Sequence, residues 1–272
     1  MTDNESVFAK THRVLKIWTK VMTHVRLRDR SIKLLQYGSQ MLLGYYSMRL
    51  SYNMRARLTT LRGQSSTARK AFWILKSLNQ IDEGMTMIKE GYLSSESSVT
   101  DKLDFIENLF LIVYYWTETQ VYFARANNMF GLSEENLDLA VNWTWFGGDV
   151  IFFLSCLLKL RKHAAERDAL CRQIKDVSDS TPEEALRLRN QRDTKDALTP
   201  RVRNAFFISV LELVVSLRYV GAYRWLLSGN DMGDGLCGLC GVVSSSVILY
   251  EGCIKAVDDV IAVEDAEKEK EE

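Results

Sequence analysis

The sequence predicts an all-α fold: a membrane-associated helical bundle with amphipathic interfacial helices and one or two transmembrane helices near the middle and C-terminus. Three observations support this fold class. Only 2 prolines occur in 272 residues, and both Pro182 and Pro200 stand where the first residue of a helix is expected. Apolar residues recur at helical spacing, and no alternating β-branched run indicates a strand. Two apolar stretches, residues 141–160 and 232–250, are candidate membrane spans.

Charge is distributed unevenly along the chain although the formal net charge is +0. Residues 10–70 contain fourteen Lys and Arg but a single acid, Asp29, whereas residues 258–272 contain eight acids and two lysines. The chain therefore has a basic front and an acidic tail. Its 47% of hydrophobic residues is enough for a sizeable core, which excludes a disordered protein.

The five cysteines are an odd number in a long chain, which favours a reducing compartment. Cys237 and Cys240 have metal-site spacing, but no second pair and no nearby histidine accompany them, so packing is the better interpretation. We expect no metal, no other cofactor and no catalytic residue, because no carboxylates are paired for acid–base chemistry. The N-terminal residues lack the apolar core of a secretory signal.

Residues 66–81, STARKAFWILKSLNQI, are predicted to form one amphipathic helix around which the other segments are organised. Such a helix suits the headgroup layer of a membrane, with its apolar side down and its cations toward anionic lipid. An ordinary surface helix of a soluble bundle is the alternative. Insertion should depend more on apolar side chains than on charge. The predicted membrane-binding residues are Arg69, Lys70, Phe72, Trp73, Leu75, Lys76 and Leu78, of which Trp73 alone lies on the wrong face.

Residues 7–25 form a second predicted basic amphipathic helix, which either binds the membrane or caps a bundle. Its apolar stripe and its opposing cations give further predicted membrane-binding residues: Val14, Trp18 and Val21, with Lys16 and Lys20.

Beyond the serine-rich residues 94–100, predicted to be a flexible loop, residues 101–126 read as a helix. Residues 141–160 are the first candidate span, and Asp149 lies near its middle. An unpaired carboxylate is costly in hydrocarbon, so Asp149 pairs, faces protein, or the helix is only partly immersed in the membrane. The charged residues 161–203 are predicted to be soluble helices that link membrane elements. Residues 206–227 form a poor span and a better interfacial or bundle helix, since they contain Glu212, Arg218 and Arg224.

Small residues at intervals of four precede and enter the last apolar stretch, a spacing that lets two membrane helices approach closely. We expect self-association through this line: Gly229, Gly233, Cys237, Gly241 and Ser245. The predicted segments are residues 1–93 (membrane-remodelling), 94–160 (ending in a span), 161–203 (linker), 204–257 (C-terminal hydrophobic helices) and 258–272 (acidic tail).

Two stretches, RDRSIKLLQYGSQMLLGYY and SSTARKAFWILKSL, resemble the paired N-terminal signatures of the peroxin-11 family. Arg28, Asp29 and Lys33 fall on its basic opening, and Tyr37 and Gly38 on its Tyr-Gly pair, whereas Arg30 and Trp73 depart from the usual residues. GVVSSSVILY, residues 241–250, is similar to the family's C-terminal span. The resemblance implies a peroxisomal or glycosomal membrane protein that elongates and divides the organelle and recruits a dynamin-type fission machinery.

The hypothesis is therefore a non-enzymatic membrane-remodelling protein that inserts residues 66–81 into the cytosolic leaflet and self-associates. Its expected partners are anionic lipid, further copies of itself and the fission machinery, without nucleic acid. One alternative is a metabolite channel in which Asp149, Glu212 and Arg218 line the pore. The other is a soluble helical scaffold, which the charged interruptions would explain.

Overall fold

The computed structural model describes residues 3–23, 25–127, 133–177, 182–226 and 233–271. These residues form nine helices and no strand, so the all-α prediction is confirmed for this part of the chain. In chain order the helices are α1 Asp3–Thr23, α2 Val25–Tyr46, α3 Tyr52–Phe72, α4 Lys76–Lys89, α5 Val99–Asn127, α6 Glu134–Val177, α7 Pro182–Tyr219, α8 Tyr223–Leu226 and α9 Asp234–Glu271.

The first of two compact units joins both ends of the chain, Met1–Phe72 and Met232–Glu272. Within it α2 packs against both α3 and α9, and α1 contacts α9. The α2–α9 contact is very close, because a Cβ added at Gly238 would overlap the backbone of Met41. Small residues therefore determine how near the two helix backbones come.

The second unit, Trp73–Asp231, contains α4 to α8. Its helices pack in chain order, α4 on α5, α5 on α6 and α6 on α7. Helices α6 and α7 run antiparallel, since the rings of Trp145 and Tyr219 lie 5.4 Å apart and Arg167 Nε lies 2.6 Å from Asp196 Oδ1. With 44 residues, α6 is about 66 Å long, so the pair forms an extended hairpin.

The loop predicted at residues 94–100 is confirmed as the connection between α4 and α5, although its last two residues already belong to α5. Ser98 and Asp101 cap α5 reciprocally: Ser98 N donates to Asp101 Oδ2 at 3.0 Å, and Asp101 N donates to Ser98 Oγ at 3.1 Å. The hydrogen bond from the Ser98 side chain holds the pKa of Asp101 below its ordinary value. The helix predicted over residues 101–126 lies within α5.

Of the charged residues 161–203, the described ones, 161–177 and 182–203, are helical as predicted, but they belong to the long helices of the α6–α7 hairpin. Across the hairpin Lys195 Nζ donates to Glu166, and His163 Nε2 lies 2.9 Å from Thr199 Oγ1. The prediction that Pro200 begins a helix is wrong, because α7 begins at Pro182 and continues through Pro200. Contacts with α6 on both sides of Pro200 hold the helix together where one backbone donor is missing.

Candidate membrane-contacting surface

The single amphipathic helix predicted over residues 66–81 is wrong, since α3 ends at Phe72 and α4 begins at Lys76. Leu75 has φ 63°, a left-handed conformation that no residue inside an α-helix adopts. Lys76 N donates to Trp73 O at 2.9 Å and closes the turn. The apolar periodicity crosses this turn without a visible break, which is why the sequence pattern suggested one helix.

The basic side of the predicted helix is largely buried. Arg69 is 9% and Lys70 6% exposed. The prediction that these two cations face lipid headgroups is therefore wrong. Arg69 Nε donates to Asp29 Oδ1 at 2.9 Å, and a second guanidinium nitrogen donates to Gln36 Oε1 at 2.7 Å. The guanidinium of Arg28 lies 4.5 Å from the ring centroid of Phe72. These residues stabilise the interior of the first unit.

Asp29, the single acid of the basic front, is the partner that makes this burial possible. Burial by itself would raise the pKa of Asp29, but the charges of Arg69 and Arg30 and the hydrogen bond from Arg69 hold it below its ordinary value. The carboxylate therefore stays ionised inside the protein.

Trp73 is also buried, against the rings of Tyr114 and Tyr115, whose centroids each lie 5.6 Å from its own and 5.1 Å from each other. Lys76 Nζ donates to Tyr115 Oη at 2.8 Å and lies 4.2 Å from the centroid of that ring. Both residues anchor the start of α4 on α5, and the predicted interfacial position of Trp73 is wrong.

Helix α4 instead turns an apolar stripe outward. Leu75 is 64% and Leu78 54% exposed, and Ile81, Met85 and Ile88 continue the stripe at intervals of three and four residues. On another side of α4, Ser77 and Gly84 are buried, and Asn108 Nδ2 donates to Gln80 O at 2.9 Å. A soluble bundle helix has the reverse arrangement, with its apolar face inward. The stripe of Leu75, Leu78, Ile81, Met85 and Ile88 is called the α4 stripe below.

The sequence prediction found the first two members of the α4 stripe but missed Ile81, Met85 and Ile88 as site residues. The signal was available, because their spacing gives residues 76–89 an amphipathic pattern of their own. The predicted window ended at Ile81 and included seven residues that belong to α3.

Helix α5 has the same inverted pattern. Ile106, Leu109, Val113 and Trp116 are exposed at helical spacing, whereas three polar residues are buried together with Tyr114 and Val121: Asn108, Thr117 and Glu118. In α6, α7 and α9 the fully buried side chains are mostly small and polar: Ser155, Ser209, Ser216, Cys237, Ser244 and Ser245. Small polar residues between helices and apolar residues outside are typical of membrane proteins.

In the part of the chain that the structure describes, two helices are long and apolar enough to cross a membrane, within Glu134–Asp176 and Asp234–Ala262. Less than half of either apolar segment is buried in the protein. The prediction of candidate spans near the middle and the C-terminus is confirmed on length and composition.

A comparison with family models gives the decisive match. The model described as Peroxisomal biogenesis factor 11 (PEX11) matches residues 15–252, most of the chain. The chain belongs to the PEX11 family. It is therefore a peroxisomal membrane protein involved in proliferation of the organelle, from a family of biogenesis factors that is not known as an enzyme family. No curated protein and no solved structure matches the chain.

In this PEX11 chain α1 turns part of its predicted stripe outward. Val14, Lys16 and Trp18 are exposed, which leaves their membrane role a prediction. Val21 is 0% exposed, so its predicted contact with lipid is wrong. Lys20 Nζ lies 2.9 Å from Asp259 Oδ2 of α9, and this ion pair holds α1 within the first unit.

The line of small residues near the C-terminus contacts α2 of the same chain. A Cβ at Gly241 would overlap the ring of Tyr37, and Cys237 and Ser245 are completely buried. Gly233 precedes α9, and Gly229 lies outside the described residues. The predicted close helix contact therefore exists, but α9 makes it with α2 of the same chain. The prediction that Cys237, Gly241 and Ser245 mediate self-association is corrected accordingly.

The C-x-x-C pair lies inside the first unit as two buried cysteines, Cys237 and Cys240. Among the described residues, no group of three or more His, Cys, Asp or Glu side chains is placed to hold a metal ion. Their burial agrees with the packing role that we preferred to a metal site in the sequence analysis.

Proposed function

We propose that this protein elongates peroxisomes and promotes their division by inserting the α4 stripe into the cytosolic leaflet as a wedge. The observation that carries the proposal is the outward stripe of five large apolar residues on a helix fixed to α5 by its other side. A membrane surface is the environment in which an exposed stripe of this kind is favourable.

Burial of apolar area supplies the energy for insertion. A fully buried side chain of this size contributes about 1.5–3 kcal/mol, so five roughly half-exposed ones contribute on the order of 5 kcal/mol. Charge adds little, because Lys76 and Lys89 on α4 are balanced by Asp82 and Glu83. The wedge should therefore respond to apolar-to-charged changes and only weakly to the charge of the lipid.

Attraction to anionic lipid is part of the proposal, but we assign it to helix α1 and not to α3. Lys16 is exposed beside Val14, Leu15 and Trp18, whereas the α3 cations Arg69 and Lys70 are buried. An exposed cation next to apolar side chains suits the headgroup region.

Self-association and recruitment of a dynamin-type fission machinery complete the proposed function. Because the small residues of α9 contact α2, a second copy has the outer face of α9 to bind, where Leu236, Leu239 and Ile254 are exposed. Association in the membrane would concentrate the wedges.

The test compares full-length variants in cells that lack their own copy of the protein. Ile81→Glu places a charge in the α4 stripe and is expected to abolish peroxisome elongation at raised expression, measured as organelle length and number by fluorescence microscopy. The matched control is Asn79→Glu, because Asn79 is exposed on the polar face of the same helix. Ile81→Leu should retain full activity.

Ile81 is 42% exposed, so a glutamate at this position can reach solvent and the substitution should leave the fold intact. Equal protein levels and equal thermal unfolding would verify this. Elongation by Ile81→Glu at the wild-type level, with the protein on peroxisomes, would refute the wedge.

A further inference from the structure

The second half of α7 has the burial pattern of a membrane helix although hydropathy does not select it. Ser209, Glu212 and Ser216 are buried at intervals of three and four residues, and together with Ile208 and Val215 they form its inner face. Phe207 is exposed, and Val210, Leu211, Leu213, Val214 and Leu217 are only partly covered. Three of the polar residues that lower its hydropathy thus face protein, and most of its apolar residues are exposed or only partly covered.

The register of the α6–α7 hairpin places the apolar parts of the two helices side by side. Phe153 and Phe206 have ring centroids 5.7 Å apart, Trp145 pairs with Tyr219, and Arg167 pairs with Asp196. In this register residues 141–160 of α6 lie opposite residues 202–221, and residues 161–177 lie opposite the charged start of α7. The change from apolar to charged sequence therefore occurs at one level in both helices.

The two ends of the paired apolar region differ in chemistry. At the level where charge begins, α6 and α7 contribute five cations: Lys159, Arg161, Lys162, Arg201 and Arg203. At the other end the residues are aromatic: Trp143, Trp145, Phe146, Tyr219 and Tyr223. Cations and aromatic rings are the residues that favour the two interfaces of a bilayer.

The length of the paired region matches a bilayer. Twenty residues of α6, from 141 to 160, rise about 30 Å, which equals the thickness of a hydrocarbon core. Residues 204–219 of α7 run alongside, and Gly221, with φ 72°, follows the end of the helix. Lipid acyl chains are the partner that fits an apolar band of this height.

We propose that α6 and α7 cross the membrane together as a hairpin, so that α7 is a span in addition to α6. The start of α6 and the end of α7 then lie on one side of the membrane. The charged parts project from the opposite side, by about 25 Å for residues 161–177 of α6 and about 33 Å for residues 182–203 of α7. This replaces the interfacial or bundle role predicted for residues 206–227.

The carboxylates of the band are kept away from lipid in this arrangement. Asp149 and Glu212 lie at one level near its middle by the hairpin register. Glu212 is buried, and Oδ2 of Asp149 is buried as well. A carboxylate that faces protein avoids most of the cost of exposure to hydrocarbon, so both acids are compatible with crossing.

Chemical labelling of the full-length protein in isolated peroxisomes tests the hairpin. The reporters are the native Cys171 and three separate variants at exposed positions, Ser133→Cys, Asn190→Cys and Arg224→Cys. A membrane-impermeant maleimide is added before or after permeabilisation, and peptide mass spectrometry assigns each label.

We expect Cys171 and Asn190→Cys to react with the maleimide under the same condition, either before or only after permeabilisation. Ser133→Cys and Arg224→Cys should both react under the opposite condition. If α6 crosses alone, Asn190→Cys and Arg224→Cys will label together, opposite to Ser133→Cys. If neither helix crosses, all four positions will label alike. Either of these two results overturns the proposal.

A second measurement asks directly whether α7 touches lipid. Nitroxide labels at Phe207→Cys and Leu186→Cys report two exposed positions of α7, one in the apolar band and one in the charged part. In liposomes, Phe207→Cys should be accessible to oxygen and shielded from a water-soluble nickel chelate, and Leu186→Cys should show the reverse. Equal exposure of both labels to the chelate would contradict the crossing.

Discussion

Residues 66–72 and residues 75–88 are neighbours in sequence, have similar apolar spacing, and are used in opposite ways. In the first stretch Arg69 and Lys70 are buried within the first unit, and Arg69 is held by Asp29 from 40 positions away. In the second stretch Leu75, Leu78 and Ile88 are exposed on the surface of the second unit. Charge in a sequence therefore does not report exposure when a distant acid can satisfy it, and apolar character does not report burial when the surroundings are lipid.

The largest effect should come from breaking the buried ion pair of the first stretch. Arg69→Met leaves the Asp29 carboxylate buried without its main partner, and we expect a loss of about 3–5 kcal/mol in the free energy of unfolding. Chemical unfolding of the full-length protein in detergent micelles, followed by near-ultraviolet circular dichroism, measures it.

Arg57→Met is the matched control, because Arg57 is exposed on the same helix, and its change should stay within about 0.5 kcal/mol. The double variant Asp29→Leu with Arg69→Met should recover much of the loss. Equal stability of Arg69→Met and Arg57→Met would mean that the pair does not hold the first unit together.

Lowering the pH should also weaken the Asp29–Arg69 pair, and the loss of stability should be somewhat smaller than that caused by Arg69→Met. The pKa of Asp29 is lower in the folded protein than its ordinary value of 3.8, so the unfolded chain binds the proton more readily. Its contribution to stability is complete above about pH 5 and is lost as the pH falls through 3.8 toward the folded pKa.

The measurement is the unfolding temperature of wild type and Asp29→Asn between about pH 3 and pH 7. Wild type should lose more stability on acidification than Asp29→Asn, because the variant lacks this titration. Parallel curves for the two proteins would show that Asp29 does not couple to folding.

The smallest effect is expected at the turn between the two stretches. Leu75 adopts a left-handed conformation that costs an L-residue about 1–2 kcal/mol, so Leu75→Gly should raise the free energy of unfolding by up to about 1 kcal/mol. Leu78→Gly, inside α4 and similarly exposed, should lower it by about 1 kcal/mol. The free energy of unfolding of both variants is measured in detergent micelles. A change of the same sign for Leu75→Gly and Leu78→Gly would contradict strain at Leu75.

The sequence by itself determined the helical class, because two prolines, the absence of alternating strands and helical spacing leave few alternatives. It also determined the two candidate spans and the loop before α5, since length, apolar composition and turn residues are local properties. The resemblance in residues 28–46 and 65–78 led to the family that the family model shows.

Only the tertiary structure decided which helix faces are buried in protein and which are exposed. The break at residues 73–75 depends on Trp73 packing against Tyr114 and Tyr115, about 40 residues away, and no local pattern contains that contact. The small residues of α9 could serve a second copy or another helix of the same chain, and their spacing does not distinguish these partners. Helical periodicity identifies an apolar face, but residues distant in sequence determine what covers that face. For this reason the candidate membrane-contacting surface is the α4 stripe and not the predicted residues 66–81.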